Sequence, residues 1–384
     1  MLCGAGVLAP RLTQSLPRAP APPAIKTEPP VPQRDRPTPA APAPGAAPRI
    51  KDPRTATNNA ATGLRQRGVA LGLFAEDVSF DYAPLLAEIA ALGASHVSLV
   101  VPLYQDDGAS IALSLHTRLS PTLGATAEAV RAARRAGLEV TLFPIVRLLH
   151  PRAPDEWRGT LRPANLDAWF ESYGGLIGDL AALGAMTGAS RLVVGSELSS
   201  LDRDRVRWAR LIKRTREIFP GILLYSANWD HYRDALVLDL VDEAGVVGYF
   251  DLRRIDGPSD VPALEQRWRQ LRGELAAWRR GRNQPFVFTE LGYRSRTGST
   301  ATPWDEGSGG TPDLDEQRRG FEAFRRAWTA PVPGTTVVPA PSDELDLAGV
   351  YVWNWYGWGG PGTVGYTPRG KPASGEIRQL FEAM

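Results

Sequence analysis

Two glutamates that each follow a short apolar run are the residues of this sequence best placed to do chemistry. Glu197 comes after Val193–Ser196, and Glu290 comes after Phe286–Thr289. Burial penalises a charged carboxylate unless it is paired or used, so a glutamate at such a position needs a specific role. Two carboxylates that face each other about 5–5.5 Å apart can cleave a glycosidic bond, one as general acid/base and one as nucleophile.

Taken singly, each glutamate fits an ordinary salt bridge to a neighbouring arginine better than a catalytic role. Their joint placement, together with aromatic residues near the ends of other apolar runs, favours catalysis. Indole and phenol rings cover the apolar faces of sugars while their polar atoms bond hydroxyl groups. We expect about half of the aromatic candidates to contact a ligand, the others being core or loop residues. The candidates are Trp229, Tyr249, Tyr293, Trp353, Trp355, Tyr356 and Trp358.

The two glutamates must be positioned by strands, and from Gly68 onward short β-branched apolar runs alternate with longer helical patterns. This alternation is typical of parallel βα units. The predicted strands are Gly68–Leu73, His96–Pro102, Leu138–Val146, Arg191–Val194, Ile222–Ser226, Gly245–Tyr249, Pro285–Thr289 and Ala348–Trp353. The predicted helices are Tyr82–Leu92, Thr126–Ala136, Leu166–Leu183, Arg203–Phe219, Leu264–Trp278, Glu316–Trp328 and a last one near Gly375–Glu382.

Eight such units predict a single (β/α)8 barrel, the TIM barrel of the α/β class, over residues 63–384. A doubly wound open sheet is the competing arrangement, and it would carry a glycine-rich phosphate-binding turn after its first strand. The segment Leu73–Asp77 is not such a turn. In the barrel, Glu197 and Glu290 end strands four and seven, at the face where active sites lie.

The composition of the chain narrows the classes of function. Its 384 residues, 43% of them hydrophobic, suffice for one large domain and an extension. The 44 basic and 42 acidic residues give a net charge of +2, which does not suggest a nucleic acid or an anionic membrane as partner. No apolar run is long enough to span a membrane. One cysteine and four scattered histidines argue against a metal site, and we expect no cofactor. The expected partner is a carbohydrate substrate, and the expected oligomeric state is a monomer.

Residues 1–62 are predicted to form a disordered Pro-rich arm, because 14 of the 34 prolines precede residue 56. The first residues, Met1-Leu2-Cys3-Gly4-Ala5, are similar to the mature start of a bacterial lipoprotein, although no apolar segment precedes Cys3. Chance explains so short a match equally well. We expect an extracytoplasmic location (periplasmic, secreted or lipid-anchored) and leave a cytoplasmic one open.

Several segments in chain order carry a resemblance to a known family. They are Trp157–Gly159 with Trp169–Tyr173, then Val194–Leu198, Tyr225–Asp230, Thr289–Tyr293 and Gly365–Pro372. Together they resemble glycoside hydrolase family 113, whose characterised members are chiefly β-1,4-mannanases. The resemblance covers residues 68–380. Each segment is weak alone, but their order and their positions on the predicted strands make the match specific.

The resemblance implies a role for each matching residue. Glu197 would be the general acid/base and Glu290 the nucleophile, with Tyr249 hydrogen-bonded to Glu290 and helping to keep it ionised. Trp353 would form the floor of the subsite where the bond is cut, and Asn228 and Trp229 would line the cleft. The expected substrate-binding residues are Trp157, Asn228, Trp229, Tyr249, Tyr293, Trp353 and Trp355.

The sequence departs from the pattern of the family after strand three. Phe143-Pro144-Ile145 stands where members often show Lys-Pro-His, which removes polar groups from an expected subsite and leaves the two carboxylates in place. Ser196 stands where the wider superfamily usually has Asn, although family 113 itself accepts a small hydroxyl residue.

The expected activity is cleavage of a β-linked polysaccharide or oligosaccharide, with β-1,4-mannan as first choice, by double displacement. Glu290 must then be anionic to attack, and Glu197 must carry a proton for the leaving oxygen. Two alternatives stay open at this point. The enzyme could hydrolyse a different β-glycan, or the barrel could bind glycans without catalysis, because a fold does not fix a function.

Overall fold

The computed structural model describes residues 65–77, 79–306, 309–329, 347–357, 359–360 and 362–384. The predicted arm at residues 1–62, with Cys3, and the candidate aromatic residue Trp358 lie outside these ranges.

Eight parallel strands close into a barrel in the order of the chain. They are β1 Gln66–Gly72, β2 His96–Gln105, β3 Glu139–Leu148, β4 Arg191–Ser196, β5 Ile222–Ala227, β6 Glu243–Val247, β7 Phe286–Leu291 and β8 Leu347–Val352. The last strand pairs with the first, Tyr351 of β8 lying opposite Gly68 of β1. The predicted (β/α)8 barrel is confirmed, and each predicted strand overlaps an observed one.

Seven α-helices are found in the described part of the chain: α1 Ala83–Ala91, α2 Leu123–Arg135, α3 Leu166–Thr187, α4 Arg205–Ile218, α5 Val261–Arg279, α6 Leu314–Thr329 and α7 Ala373–Glu382. The connection from β5 to β6 differs from the regular pattern, because it holds only the 3-10 helix Leu236–Leu240. A second 3-10 helix, Arg158–Thr160, lies between β3 and α3. Among the described residues, none of these helices combines the length and apolarity that crossing a membrane requires.

Polar side chains set the starts of several helices by accepting a hydrogen bond from a free backbone N–H. Thr122 caps α2, Asn165 caps α3, Asp204 caps α4 and Asp260 caps α5, each through the N–H three residues further on. Helix α3 ends at Gly188, whose φ of 81° is a conformation that glycine adopts without strain. These caps lie within a few residues of the predicted helix starts.

The strands are buried on both faces, as a parallel sheet covered by helices requires. Outside the barrel, the main core includes Trp169, Trp208 and Trp268, all 0% exposed, between strands and helices. Inside the barrel, a separate apolar cluster includes Tyr249 and Trp353, which lie just beyond the carboxyl ends of β6 and β8. The filled barrel interior thus supports the residues at its mouth.

A network of buried polar side chains includes the first residues of β1, β4 and β6 and the Tyr351 hydroxyl of β8. Arg191 at the start of β4 forms a buried ion pair with Glu243 at the start of β6, with an N···O distance of 3.3 Å. Gln66 donates to Glu243 at 3.0 Å and accepts from the Tyr351 hydroxyl at 3.0 Å. Each of these four side chains has a partner within the network, which therefore links β1, β4, β6 and β8.

Candidate active site

Glu197 directly follows β4 in a backbone conformation that is rare for its residue type. Its φ is 52°, the only positive φ of a non-glycine residue in the described chain. A shift in the pairing of β4 with β5 between Val193 and Ser196 precedes it. The next residue is fixed by a hydrogen bond of 3.1 Å from the N–H of Leu198 to the Tyr225 hydroxyl. Strain of this kind persists where the surroundings fix it, and it concentrates at functional sites.

Glu290 lies within β7 and is 2% exposed. Tyr249 donates its hydroxyl to Oε2 of Glu290 at 2.8 Å, which is the hydrogen bond that the family resemblance implied. Oε1 of Glu290 is buried and has no hydrogen-bond partner among the described residues. One carboxylate oxygen is therefore held in place while the other can bond an incoming atom.

Arg158, in the 3-10 helix after β3, couples the two glutamates electrostatically. Its Nε donates to Oε2 of Glu197 at 3.0 Å, and its Nη2 contacts the same oxygen. Burial, and then the Glu197 carboxylate, raise the pKa of Glu290 well above its ordinary value, while Arg158 acts in the opposite direction. The salt bridge considered above for a single glutamate thus exists, but its arginine also interacts with the second glutamate.

A cavity of about 600 Å³ opens beside Glu197, and we call it the Glu197 cavity. Of the predicted substrate-binding residues, Trp157, Asn228, Trp229 and Tyr249 line it. Trp157 and Trp229 are half-buried, so each ring keeps a face that a sugar can cover.

A second cavity of about 280 Å³ contains Trp353 in its wall. Arg158, Glu306 and Tyr366 line both cavities, so the two adjoin each other at these residues. Their volumes are of the order of the ~300–1,000 Å³ of small-molecule sites. Together they form a cleft that could hold sugars on both sides of a cleaved bond.

Tyr293 does not reach this cleft, and its expected contact with substrate is therefore wrong. It is 0% exposed, and its hydroxyl accepts a hydrogen bond of 3.0 Å from Nε1 of Trp268 on α5. Side chains alternate along an extended chain, so a residue three positions after the inward-facing Glu290 points to the helices.

Trp355 also lies outside both cavity walls, contrary to expectation. Its Nε1 donates to Glu88 of α1 at 2.8 Å, and its side chain belongs to the outer core. The chain bends at Trp353 directly after β8, so the strand alternation does not continue, and Trp353 and Asn354 line the cleft while Trp355 does not. Tyr356 packs edge-on against Phe74 with the ring centroids 5.7 Å apart.

Many residues of the cleft wall were not predicted as site residues, among them Arg147, Arg158, Arg294, Trp304, Glu306 and Tyr366. Of these six, Arg158 lies in Trp157–Gly159 and Tyr366 in Gly365–Pro372, two segments that carry the family resemblance. The family resemblance could therefore have identified Arg158 and Tyr366 as site residues. Trp304 and Glu306 lie in the long connection between β7 and α6, where no pattern indicated them.

In the part of the chain that the structure describes, no three His, Cys, Asp or Glu side chains are grouped so as to hold a metal ion. Glu197, Glu290, Tyr249 and Arg158 bring together two carboxyl groups, a phenol and a guanidinium, which can transfer protons and form an ester.

Comparison with known proteins agrees with this geometry. Among solved structures, a family 113 β-mannanase from Alicyclobacillus acidocaldarius in complex with ManMIm is 25% identical, with a TM-score of 0.70 over 83% of this chain and 97% of that one. A family 113 β-1,4-mannanase solved as a complex is 20% identical, with a TM-score of 0.70 over 83% and 99% of the two chains. A β-glucuronidase from Faecalibacterium prausnitzii shares the fold at 13% identity and a TM-score of 0.55, over 84% of this chain and 49% of that one.

The comparison with curated proteins found no match. The sequence model of Glycoside Hydrolase Family 113, by contrast, matches residues 74–333, which is well over half of the chain and includes both glutamates. This chain therefore belongs to glycoside hydrolase family 113 and is a glycoside hydrolase.

Proposed function

We propose that the protein hydrolyses β-1,4-linked mannan with retention of anomeric configuration, using Glu290 as nucleophile and Glu197 as general acid/base. The observation that carries the proposal is the environment of Glu290. One of its oxygens is held by Tyr249, the other is buried without a partner among the described residues, and the carboxyl group interacts with Glu197. The solved relatives named as β-mannanases support the choice of substrate.

In the first step, Oε1 of Glu290 attacks the anomeric carbon and the glycosidic bond breaks. The leaving oxygen takes the proton of Glu197, which leaves a sugar ester on Glu290 and a free sugar alcohol. In the second step, a water molecule gives its proton to Glu197 while its oxygen replaces Glu290 at the anomeric carbon. Both glutamates then return to their starting states.

The remaining residues prepare these steps. The Tyr249 hydroxyl stabilises the Glu290 carboxylate against the effect of burial, because a hydrogen bond to the charged form favours that form. Arg158 contacts Glu197, the group that must carry a proton. Trp157 and Trp229 line the same cavity as Glu197, so the sugar of the leaving group can stack on either ring next to Glu197.

The proposal is tested on purified protein with β-1,4-mannan and mannotetraose, following the first product anomer by NMR. We expect the β-anomer to appear first, Glu290→Gln to abolish turnover, and azide to restore part of the activity of Glu197→Ala on a substrate with an activated leaving group. Glu217→Gln, on the exposed face of α4, is the matched control and should keep full activity. Normal cleavage of mannan by either active-site variant, or an α-anomer as first product, would contradict the proposal.

A further inference from the structure

Three arginines line the second, smaller cavity of the cleft. They are Arg147 at the end of β3, Arg158 after β3 and Arg294 after β7, and the apolar part of the wall includes Ile145 and Trp353. We call this cavity the arginine pocket. Its one acidic wall residue among the described residues is Glu306, so cations outnumber anions in the wall.

The three arginines differ in how they are engaged. Arg158 pairs with Glu197, and Arg294 donates from Nε to the Val364 carbonyl at 2.9 Å. The guanidinium of Arg147 lies 5.9 Å from the ring centroid of Phe74, and no carboxylate of the described chain pairs with it. Arg147 is exposed, so its N–H donors are available to a ligand in the pocket.

The arginine pocket lies on the side of the cleft away from the leaving group. Glu197, which protonates the leaving oxygen, lines the other cavity, and Trp353 lines the arginine pocket. In the proposed mechanism, the sugar retained on Glu290 and its neighbours toward the non-reducing end extend from the Glu197 cavity toward the arginine pocket, which adjoins it at Arg158, Glu306 and Tyr366.

The polar character of this pocket comes largely from hydrogen-bond donors. Phe143-Pro144-Ile145 supplies apolar side chains, and Ile145 forms part of the wall. A guanidinium donates only, and it matches the paired oxygens of carboxylates, sulfates and phosphates. A neutral sugar hydroxyl would use few of these donors, whereas an anionic group would also form a charge-assisted hydrogen bond with Arg147.

We propose that the arginine pocket binds a sugar carrying an anionic substituent, with Arg147 as the residue that selects it. The substrate would be a β-linked glycan with a carboxylate or an acidic ester on the non-reducing side of the cleaved bond. This inference rests on the proposed hydrolase function and narrows its substrate class.

The test compares kcat/KM for mannotetraose with that for the same tetrasaccharide carrying a C6 carboxylate on its non-reducing sugar, and for its 6-O-sulfate. We expect the wild-type enzyme to prefer at least one charged form by about tenfold, and Arg147→Gln to lose most of that preference. The preference should shrink as ionic strength rises, because Arg147 is exposed to solvent. Arg210→Gln, an exposed arginine on α4, removes the same charge elsewhere and should keep the preference.

Each outcome supports or overturns either the anionic site or the proposed mannanase activity. Equal or faster cleavage of mannotetraose by the wild type, or an equal loss on neutral and charged substrates in Arg147→Gln, overturns the anionic site and leaves the mannanase proposal standing. If the wild-type enzyme cleaves none of the three tetrasaccharides, the proposed mannanase activity fails instead. Calorimetric titration of Glu290→Gln with the three tetrasaccharides then measures the site directly, and tighter binding of a charged form that is lost with Arg147→Gln supports it, while equal binding overturns it.

Discussion

At the scale of single residues, the carboxyl groups of Glu197 and Glu290 and the guanidinium of Arg158 interact electrostatically with one another. Arg158 bonds Glu197 and lowers the pKa of Glu290, while burial and Glu197 raise that pKa by more. In the proposed mechanism, Glu290 reacts only as an anion. The charge of Arg158 therefore bears on the pH range of the enzyme although Arg158 itself does not react.

The pH dependence of kcat/KM follows from the raised pKa of Glu290. Because the free enzyme must lose a proton from Glu290 before it can attack, activity should fall on the acidic side at a pH above the ordinary glutamate value of 4.5. Arg158→Met removes the cation that opposes this rise, so the acidic limb should move further up by about one pH unit. The measurement is kcat/KM from pH 4 to 8, with Arg210→Gln as control. An acidic limb that stays in place in Arg158→Met would refute the coupling.

At the scale of elements, the strand ends decide which side chains reach the cleft. Glu290 points inward from β7, and Tyr293 three residues later points to α5 and α6, where it contacts Trp268 and Phe321. Tyr249, just after β6, faces Glu290 instead. Two tyrosines near the ends of adjacent strands thus have different surroundings, one in the cleft and one in the outer core.

The pair Tyr293→Phe and Tyr249→Phe tests this division. Tyr293→Phe leaves the buried N–H of Trp268 without its acceptor, which should cost about 1–3 kcal/mol of unfolding free energy while KM stays unchanged. Tyr249→Phe should keep the melting temperature within a few degrees and lower kcat/KM by about 10–100-fold, since Glu290 loses its hydrogen bond. Thermal unfolding and steady-state kinetics measure both. A KM effect of Tyr293→Phe would place that residue at the substrate after all.

At the scale of the whole molecule, the two ends of the barrel have separate tasks. The carboxyl ends of the strands carry the cleft, and the network of Gln66, Arg191, Glu243 and Tyr351 joins the amino ends of β1, β4 and β6 to β8. A buried charge whose partner is removed is strongly destabilising, whereas an exposed ion pair contributes little.

Arg191→Met should therefore destabilise the protein by about 3–5 kcal/mol, because Glu243 stays buried without its cation. Arg214→Met, which breaks an exposed ion pair with Glu171, should cost less than about 1 kcal/mol and serves as control. Adding Glu243→Gln to Arg191→Met should recover much of the loss. Urea unfolding measures all three, and equal costs for Arg191→Met and Arg214→Met would show that the network does not stabilise the barrel.

The barrel and the position of its two glutamates could be predicted because they depend on local patterns. Apolar runs and helical periodicity indicate the eight strands, and Glu197 and Glu290 stand at fixed places relative to them. The segment Trp157–Gly159 pointed to Arg158, but the hydrogen bond from Arg158 to Glu197 could not be predicted, since it depends on how the connection after β3 folds next to the end of β4. Trp355 shows the same limit, because a bend after β8 turns its side chain away from the cleft toward Glu88.

The short connection between β5 and β6 has a mechanical consequence. All of residues 228–242 are described, and they supply one 3-10 helix where other barrel units supply a full α-helix. Asn228 and Trp229 extend from β5, and Tyr249 from β6, so this wall of the Glu197 cavity rests on the thinnest part of the outer layer. The arginine pocket is lined by residues that follow or end β1, β3 and β8, and these strands are followed by α1, α3 and α7. Sparse packing favours local opening of the structure. We therefore expect the wall formed by Asn228, Trp229 and Tyr249, beside the departing fragment, to open more readily than the wall beside the retained sugar.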